Sequence, residues 1–189
     1  MIFLAIGSNL PSSFGDRFNN IDLAISFLKS HKIKLIKKSS YYETPSYPNM
    51  NNPKFINVVI SINTNLSLSD LMSAIIIVEE KLERKRNKKN DPRTCDIDII
   101  DYNKEIHNIN HKGNNIVVPH SRLAYRSFVL IPLQEISPQW KHPKTKEIIG
   151  DIISNLPPKD KKFILKLNKK WYDLKNVKST RPNKKSKIL

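Results

Sequence analysis

The chain opens on MIFLAI, six apolar residues closed by GSN, a pattern that predicts a short buried strand running into a loop. From Phe18 the period changes. Phe18, Ile21, Ile25 and Leu28 recur at three and four residues, the spacing of one helical face. Ser12, Ser13 and Asp16 stand upstream as capping groups. Residues 33–43, IKLIKKSSYYE, read as a strand. The stretch from Thr44 to Pro53 holds three prolines and three asparagines and predicts a loop. A clean period of two follows: Ile56, Val58, Ile60 and Ile62 face one way, and Phe55, Asn57, Val59 and Ser61 the other. Leu71, Ile75, Val78 and Leu82 mark a second helix, which Ser67 and Asp70 open as a variant capping box. It runs through the basic stretch ERKRNKKNDP into a strand over 95–102.

The order strand–helix–strand–strand–helix–strand predicts an α+β fold, the ferredoxin-like βαββαβ antiparallel sheet with both helices on one face. The opposite face is then free to form a site. Downstream, VVPHSRLAYRSFVLIPLQEI reads as a loop entering a helix, and 146–156 as a further short helix. These are C-terminal helical additions to the basic unit.

Composition refines the picture. The chain has 189 residues and one cysteine, Cys95, so no internal disulfide is possible. The apolar start is too short for a membrane span and lacks a basic leader, and a cytoplasmic location without membrane contact is expected. The formal charge is +16, and +10 of it falls in residues 159–189. That asymmetry divides the chain into a body, 1–158, and a basic extension, 159–189. Within the extension, Phe163, Ile164, Leu167 and Trp171 have helix-compatible spacing, and the extension is expected to be dispensable for chemistry.

The candidate chemistry lies in DPRTCDIDII. Alternation sends Cys95, Ile97 and Ile99 to one face and Asp96 and Asp98 to the other. Two neighbouring carboxylates are either a solvated acidic pair or a seat for a hard cation such as Mg²⁺. Arg84, Arg86, Arg93, Arg122 and Arg126 surround that stretch, and guanidinium groups match phosphate oxygens. Carboxylates with several arginines suit phosphoryl transfer, where positioning and charge neutralisation dominate. There is no P-loop pattern, and only four glycines occur. Glu79 either holds a purine or ribose or pairs with a lysine. His120 either donates to a phosphate or is a surface residue.

The runs AIGSNL, YETP, PKFINVVI, VEEKLERKR, PRTCDIDII, VPHSRL and RSFVLIPLQEI together resemble the 6-hydroxymethyl-7,8-dihydropterin pyrophosphokinase family, over roughly residues 2–157. The resemblance implies an ATP-dependent diphosphotransferase of folate biosynthesis, which passes the β,γ-pyrophosphoryl unit of ATP to the pterin hydroxymethyl group and releases AMP. It implies two Mg²⁺ ions on Asp96 and Asp98, catalytic roles for Arg84, Arg93 and Asp98, and ATP contacts from Glu79, Arg86, Arg93, His120 and Arg126. It places the pterin against Thr44, Pro45, Tyr47, Phe55, Asn57 and Phe128. A loop from Arg86 to Pro92 is expected to close over bound substrates, and a monomer is expected.

The sequence departs from the family's pattern at several places. Glu83 stands where glycine is frequent, which puts an acid near the arginines. NKKND lacks a tryptophan, SYPNMNNP lacks the usual glycine and DQP segment, and Ser121 replaces an aromatic found in some members. Two other classes fit the topology. A ferredoxin-like RNA-binding module would need an RNP1-like aromatic pattern, which is missing. A non-catalytic scaffold would not need Asp96, Asp98 and Arg93 together. Nucleic acid is expected only as a weak contact of the basic extension.

Overall fold

The computed structural model describes residues 1–85 and 91–168. The N-terminal apolar run forms β1 (Ile2–Ser8), buried along its length. It sits at the centre of the main sheet, antiparallel to β4 (Phe55–Asn63) on one side and to β5 (Asp96–Tyr102) on the other. The far edge of β4 is shared by β2 (Lys34–Lys38) and β3 (Tyr41–Thr44). A last strand, β8 (Leu165–Leu167), joins β3, so the order is β5-β1-β4-β3-β8, with β2 alongside on β4.

The single strand expected over 33–43 is therefore two. Ser39 divides them. Its N–H donates to the Val59 carbonyl (2.9 Å) and its hydroxyl accepts from the Val59 N–H (3.0 Å). A side chain takes the place of a backbone acceptor, and the regular ladder stops there.

Two helices, α1 (Arg17–Ser30) and α2 (Leu68–Lys81), cover one face of the sheet. They pack on Leu4 and Ile6 of β1 and on Ile56, Val58, Ile60, Ile62, Ile97 and Ile99, the last six being residues that alternation assigned to one side of their strands. Asp16 caps α1, accepting from the N–H groups of Phe18 and Asn19. Ser67 caps α2 through the Asp70 N–H.

The other face is not free as expected. After a 3-10 turn at Leu123–Tyr125, α3 (Ser127–Ile136) and α4 (Ile149–Ser154) build a second core on Phe3, Ala5, Val59 and Ile100. A bulge helps them seat: Leu4 pairs with Ile99 and Phe3 with Asp101, so Ile100 has no partner on β1. Asp101 then stays on this side, where it accepts from Trp140 Nε1 (2.7 Å). Among the described residues, this second core leaves the end of the face near Gly7 outside it.

The hairpin β6 (His107–His111) and β7 (Asn114–Val118) is not evident from periodicity. Its turn residues Lys112 and Gly113 both have positive φ (49° and 81°), as a tight two-residue hairpin loop requires. The C-terminal part also differs from expectation. After α5 (Pro158–Lys162), Leu165–Leu167 extend on the edge of β3 instead of continuing a helix. An unpaired strand edge offers these residues backbone partners that a short isolated helix does not have. Trp171 and residues 169–189 lie outside the described part. Among the described residues, no helix is long and apolar enough to cross a membrane.

Candidate functional site

Strand register assembles the floor of the site. Gly7 pairs with Asn57 on β4 and with Asp96 on β5, so Asn57, Gly7 and Asp96 form one row across three strands. Ala5 faces Asp98 one step along. Glycine at position 7 has a steric reason: a Cβ there would lie 3.1 Å from Asn57 Oδ1 and 3.4 Å from the Phe55 ring. The alternation that sent Asp96 and Asp98 to a common face is present as expected.

The arginines converge on these carboxylates. Arg84 reaches Asp96 Oδ1 (2.7 Å) and Arg93 reaches Asp96 Oδ2 (2.6 Å). Arg126 donates to Asp98 Oδ2 (2.6 Å). Arg84 also pairs with Glu79. Burial opposes the charge on Asp96, but Arg84 and Arg93 outweigh it and hold this carboxyl below its ordinary range. Burial likewise opposes the Arg84 charge, and Asp96 and Glu79 more than compensate, so its pKa is raised. Among the described residues, three guanidinium groups face three carboxylates. The cluster is thus internally neutral, and a polyanion together with hard cations can enter it without leaving a large net charge.

Glu79 lies deep between α2 and β5. Only 1% of it is exposed, and it accepts from the Ile97 N–H (2.8 Å), tying α2 to β5. Among the described residues, Arg84 is a charged partner of Glu79. Arg84 owes its place to how α2 ends. Leu82 closes the helix, Glu83 takes a left-handed φ of 63°, the Glu83 N–H returns to Glu80 O (2.9 Å) and the Arg84 N–H to Glu79 O (3.0 Å). This is the Schellman termination, whose left-handed position glycine usually fills. The Glu83 carboxylate accepts from Ser13, whose N–H lies at 3.0 Å and whose hydroxyl also donates. Those bonds hold its pKa low.

Arg93 is anchored by its backbone. Its N–H donates to Asn9 Oδ1 (2.6 Å), and its carbonyl accepts from the N–H groups of Asn9 (3.0 Å) and Leu10 (3.1 Å). The guanidinium lies 5.2 Å from the Phe55 ring centre. Its Nε and the Thr94 hydroxyl are buried without a hydrogen-bond partner. Both adjoin an open cleft of about 770 Å³ lined by Leu10, Glu83, Lys85, Asp91, Pro92, Arg93 and Thr94.

His120 is half-buried, and its Nδ1 accepts from the Arg122 N–H (3.0 Å). That bond leaves Nε2 as the N–H donor. Burial, and next the Arg126 charge, push its pKa down, so the ring is neutral at physiological pH.

On the other side, Asn57 donates from Nδ2 to Thr44 Oγ1 (2.9 Å) and is buried. Phe55 opens β4. Phe128 lies in the first turn of α3, with Arg126 5.6 Å from its ring centre. Pro45 follows Thr44 at the start of the loop, but Tyr47 is 84% exposed and the structure does not join it to this group. Arg86 and residues 86–90, and so most of the loop expected to close, lie outside the described residues.

Sequence reasoning missed Asn9. It is buried, and besides holding Arg93 it donates from Nδ2 to Ser46 Oγ (3.2 Å) and to Pro53 O (3.1 Å). One side chain therefore joins the loop after β1 to the arginine strand and to the 44–53 loop. The only signal was an asparagine directly after a buried strand, in GSN.

Among the described residues, no group of three or more His, Cys, Asp or Glu could hold a metal. Asp96 and Asp98 alone fit a Mg²⁺ that takes its remaining ligands from phosphate and water. Both would exchange an arginine contact for the cation.

The fold and the site define a class: a layered α/β protein whose sheet end gathers arginines and paired carboxylates beside a buried amide. The sequence model of the 7,8-dihydro-6-hydroxymethylpterin-pyrophosphokinase (HPPK) family matches residues 3–138. The chain belongs to that family. It is 35% identical over 138 residues to the 2-amino-4-hydroxy-6-hydroxymethyldihydropteridine pyrophosphokinase of Bacillus subtilis (strain 168), covering 72% of this chain and 78% of the other. It is 32% identical over 156 residues to the folic acid synthesis protein fol1 of Schizosaccharomyces pombe. That match takes in 82% of this chain, which spans only 20% of the longer relative. The fold is similar to that of wild-type Plasmodium falciparum HPPK-DHPS (TM-score 0.61, 16% identity, 81% of this chain and 40% of that one).

Proposed function

We propose that this chain transfers the β,γ-pyrophosphoryl unit of ATP to the hydroxymethyl group of 6-hydroxymethyl-7,8-dihydropterin, yielding AMP and the pterin diphosphate for folate biosynthesis. The observation that carries the reading is the row Asn57–Gly7–Asp96. It joins an amide suited to a fused heterocycle with the arginine–carboxylate cluster suited to a polyphosphate, across three paired strands. The fold is read as ferredoxin-like, supported by the order β5-β1-β4-β3 with α1 and α2 on one face.

Asp96 and Asp98 would hold two Mg²⁺ ions, which when bound supply charge neutralisation at the transferred phosphoryl groups. Arg84, Arg93 and Arg126 would turn from the carboxylates to phosphate oxygens. The unpartnered Arg93 Nε and Thr94 hydroxyl offer two further donors beside them. His120 would donate from Nε2 to the nucleotide, and Arg86 is assigned to ATP by family resemblance. Glu79 acts through Arg84, holding its guanidinium over Asp96. Asn57, oriented by Thr44, would read the pterin edge, with Phe55 and Phe128 against its flat faces and Pro45 and Tyr47 from the neighbouring loop. A cytoplasmic monomer completes the reading. An RNA-binding module is disfavoured, because α3 and α4 cover much of the sheet face that it would present.

The test is the nucleotide product. Incubation with ATP, Mg²⁺ and the hydroxymethyl-dihydropterin should release AMP in step with pterin diphosphate. Stoichiometric ADP would exclude pyrophosphoryl transfer.

A further inference from the structure

Helix termination accounts for the left-handed backbone at Glu83, but not for a glutamate there or for where its carboxylate goes. It occupies a left-handed position, at φ 63°, where an L side chain is disfavoured relative to glycine. It also spends both carboxylate oxygens on Ser13, seventy residues away in sequence: Oε2 accepts the Ser13 N–H (3.0 Å) and Oε1 the Ser13 hydroxyl.

Ser13 belongs to the loop between β1 and α1, and that loop is itself held. Asn20, buried in α1, donates to Leu10 O (2.9 Å). Asn9 and Leu10 bind the Arg93 backbone through three hydrogen bonds. The loop therefore touches both arginine-bearing segments. Its first residues hold Arg93, and its tip holds Glu83, the residue directly before Arg84. Both arginines end on the same carboxylate, Asp96. Their spacing is fixed through Asp96 only while Asp96 is available to them.

We propose that the Glu83–Ser13 pair is a positioning latch. It keeps Arg84 in register with Arg93 when Asp96 is given over to a bound cation and the guanidinium groups turn to phosphate. Glu83 is thus a positioning residue for the polyphosphate site. The inference rests on the proposed function for its kinetic readout, but the latch itself is a property of the free protein.

The test uses Glu83→Gly, Glu83→Gln and Ser13→Ala in the full chain. Glycine relieves the left-handed position, so Glu83→Gly should keep or raise the thermal midpoint while lowering kcat/KM for ATP by about tenfold, with the pterin KM unchanged. Glutamine keeps one acceptor and one shape, and should restore most of that loss. Ser13→Ala should lower kcat/KM for ATP similarly, and combining it with Glu83→Gly should add little, as for two halves of one interaction. Amide exchange at Ser13, followed without ligand, should be slow in wild type and fast in Glu83→Gly. Wild-type kinetics in Glu83→Gly together with slow Ser13 exchange would overturn the latch. Wild-type protein that makes no AMP but shows slow Ser13 exchange would overturn the proposed reaction and leave the latch standing.

Discussion

Asp96 and Asp98 sit two residues apart on one strand, but their loss should have different consequences. Asp98 has one arginine partner and a side chain 34% exposed. Asp98→Asn should fold normally and lose about 10²–10³-fold in turnover, the scale of removing one electrostatic stabilising group; near-normal turnover at saturating Mg²⁺ would sink the metal assignment. Asp96 anchors Arg84 and Arg93 together, so Asp96→Asn should also lower stability, by about 3 kcal/mol, because two partly buried guanidinium groups lose their partner. Its pH signature has a definite sign. The Asp96 pKa is depressed below 3.8 in the folded state, so its stabilisation is present above that value and lost as pH falls through the lower folded value. Acid unfolding of wild type should therefore steepen below about pH 4, and Asp96→Asn should flatten that limb. Gly7→Ala tests the floor: its Cβ would press on Asn57 Oδ1 at 3.1 Å, so the KM for pterin should rise more than that for ATP. The shared face of the carboxylate pair and of Asn57 was legible because strand alternation fixes which side chains lie together; the arginines sit at a helix end and in loops, where no alternation applies. Asn9 and the Glu83–Ser13 contact were not, because they join residues 84 and 70 positions apart through loops that no periodicity describes.

At the scale of elements, α3 is the piece that carries Phe128 at its start and is fastened at its end by Glu135. That carboxylate accepts from the Ser40 N–H (3.1 Å) and hydroxyl (2.8 Å), from the Tyr42 hydroxyl (2.8 Å) and from Lys166 (3.2 Å). These partners lie at the start of β3, within it and on β8, so one residue binds a helix to two strands. Burial first, and then the hydrogen bond to Glu135 and its charge, push the Tyr42 pKa up, while the bonds from Ser40 and Tyr42 hold Glu135 low against the cost of its own burial. Glu135→Ala should cost about 2 kcal/mol, a thermal midpoint drop of several degrees in a chain of this size, and Glu135→Gln should fall between the two. An unchanged midpoint in Glu135→Ala would show that α3 is held by its apolar face alone. The helices α1 and α2 and the strand β4 were readable because their apolar period runs unbroken. The β2–β3 break was not, because it depends on one serine replacing a backbone acceptor. The second helical layer was visible as helices but not as a cover for the sheet, since periodicity gives an element its face and not the neighbour that fills it.

The whole molecule raises the question of where the folded body stops. Charge placed a boundary after residue 158, but β8 pairs Leu165, Lys166 and Leu167 with Glu43, Tyr42 and Tyr41. Tyr42 in turn pairs with Asn57, so β8 stands two strands from the amide of the site. We therefore place the functional limit of the extension beyond Asn168, and two truncations test it. A chain ending at Asn168 removes eight basic residues and Asp173, yet no described part of the sheet. It should keep kcat and the KM for ATP within about twofold, well under one power of ten. A chain ending at Leu156 also removes α5 and β8. It strips the outer edge of β3 of its backbone partners and takes Lys166 from Glu135. That chain should unfold at a lower temperature, self-associate with rising concentration through the open edge, and show a raised pterin KM with the ATP KM little changed. If the two truncations behave alike and both match wild type, β8 is an ornament on the sheet. If the chain ending at Asn168 already loses most of its turnover, residues 169–189 reach the polyphosphate site, and their surplus of positive charge belongs to the chemistry.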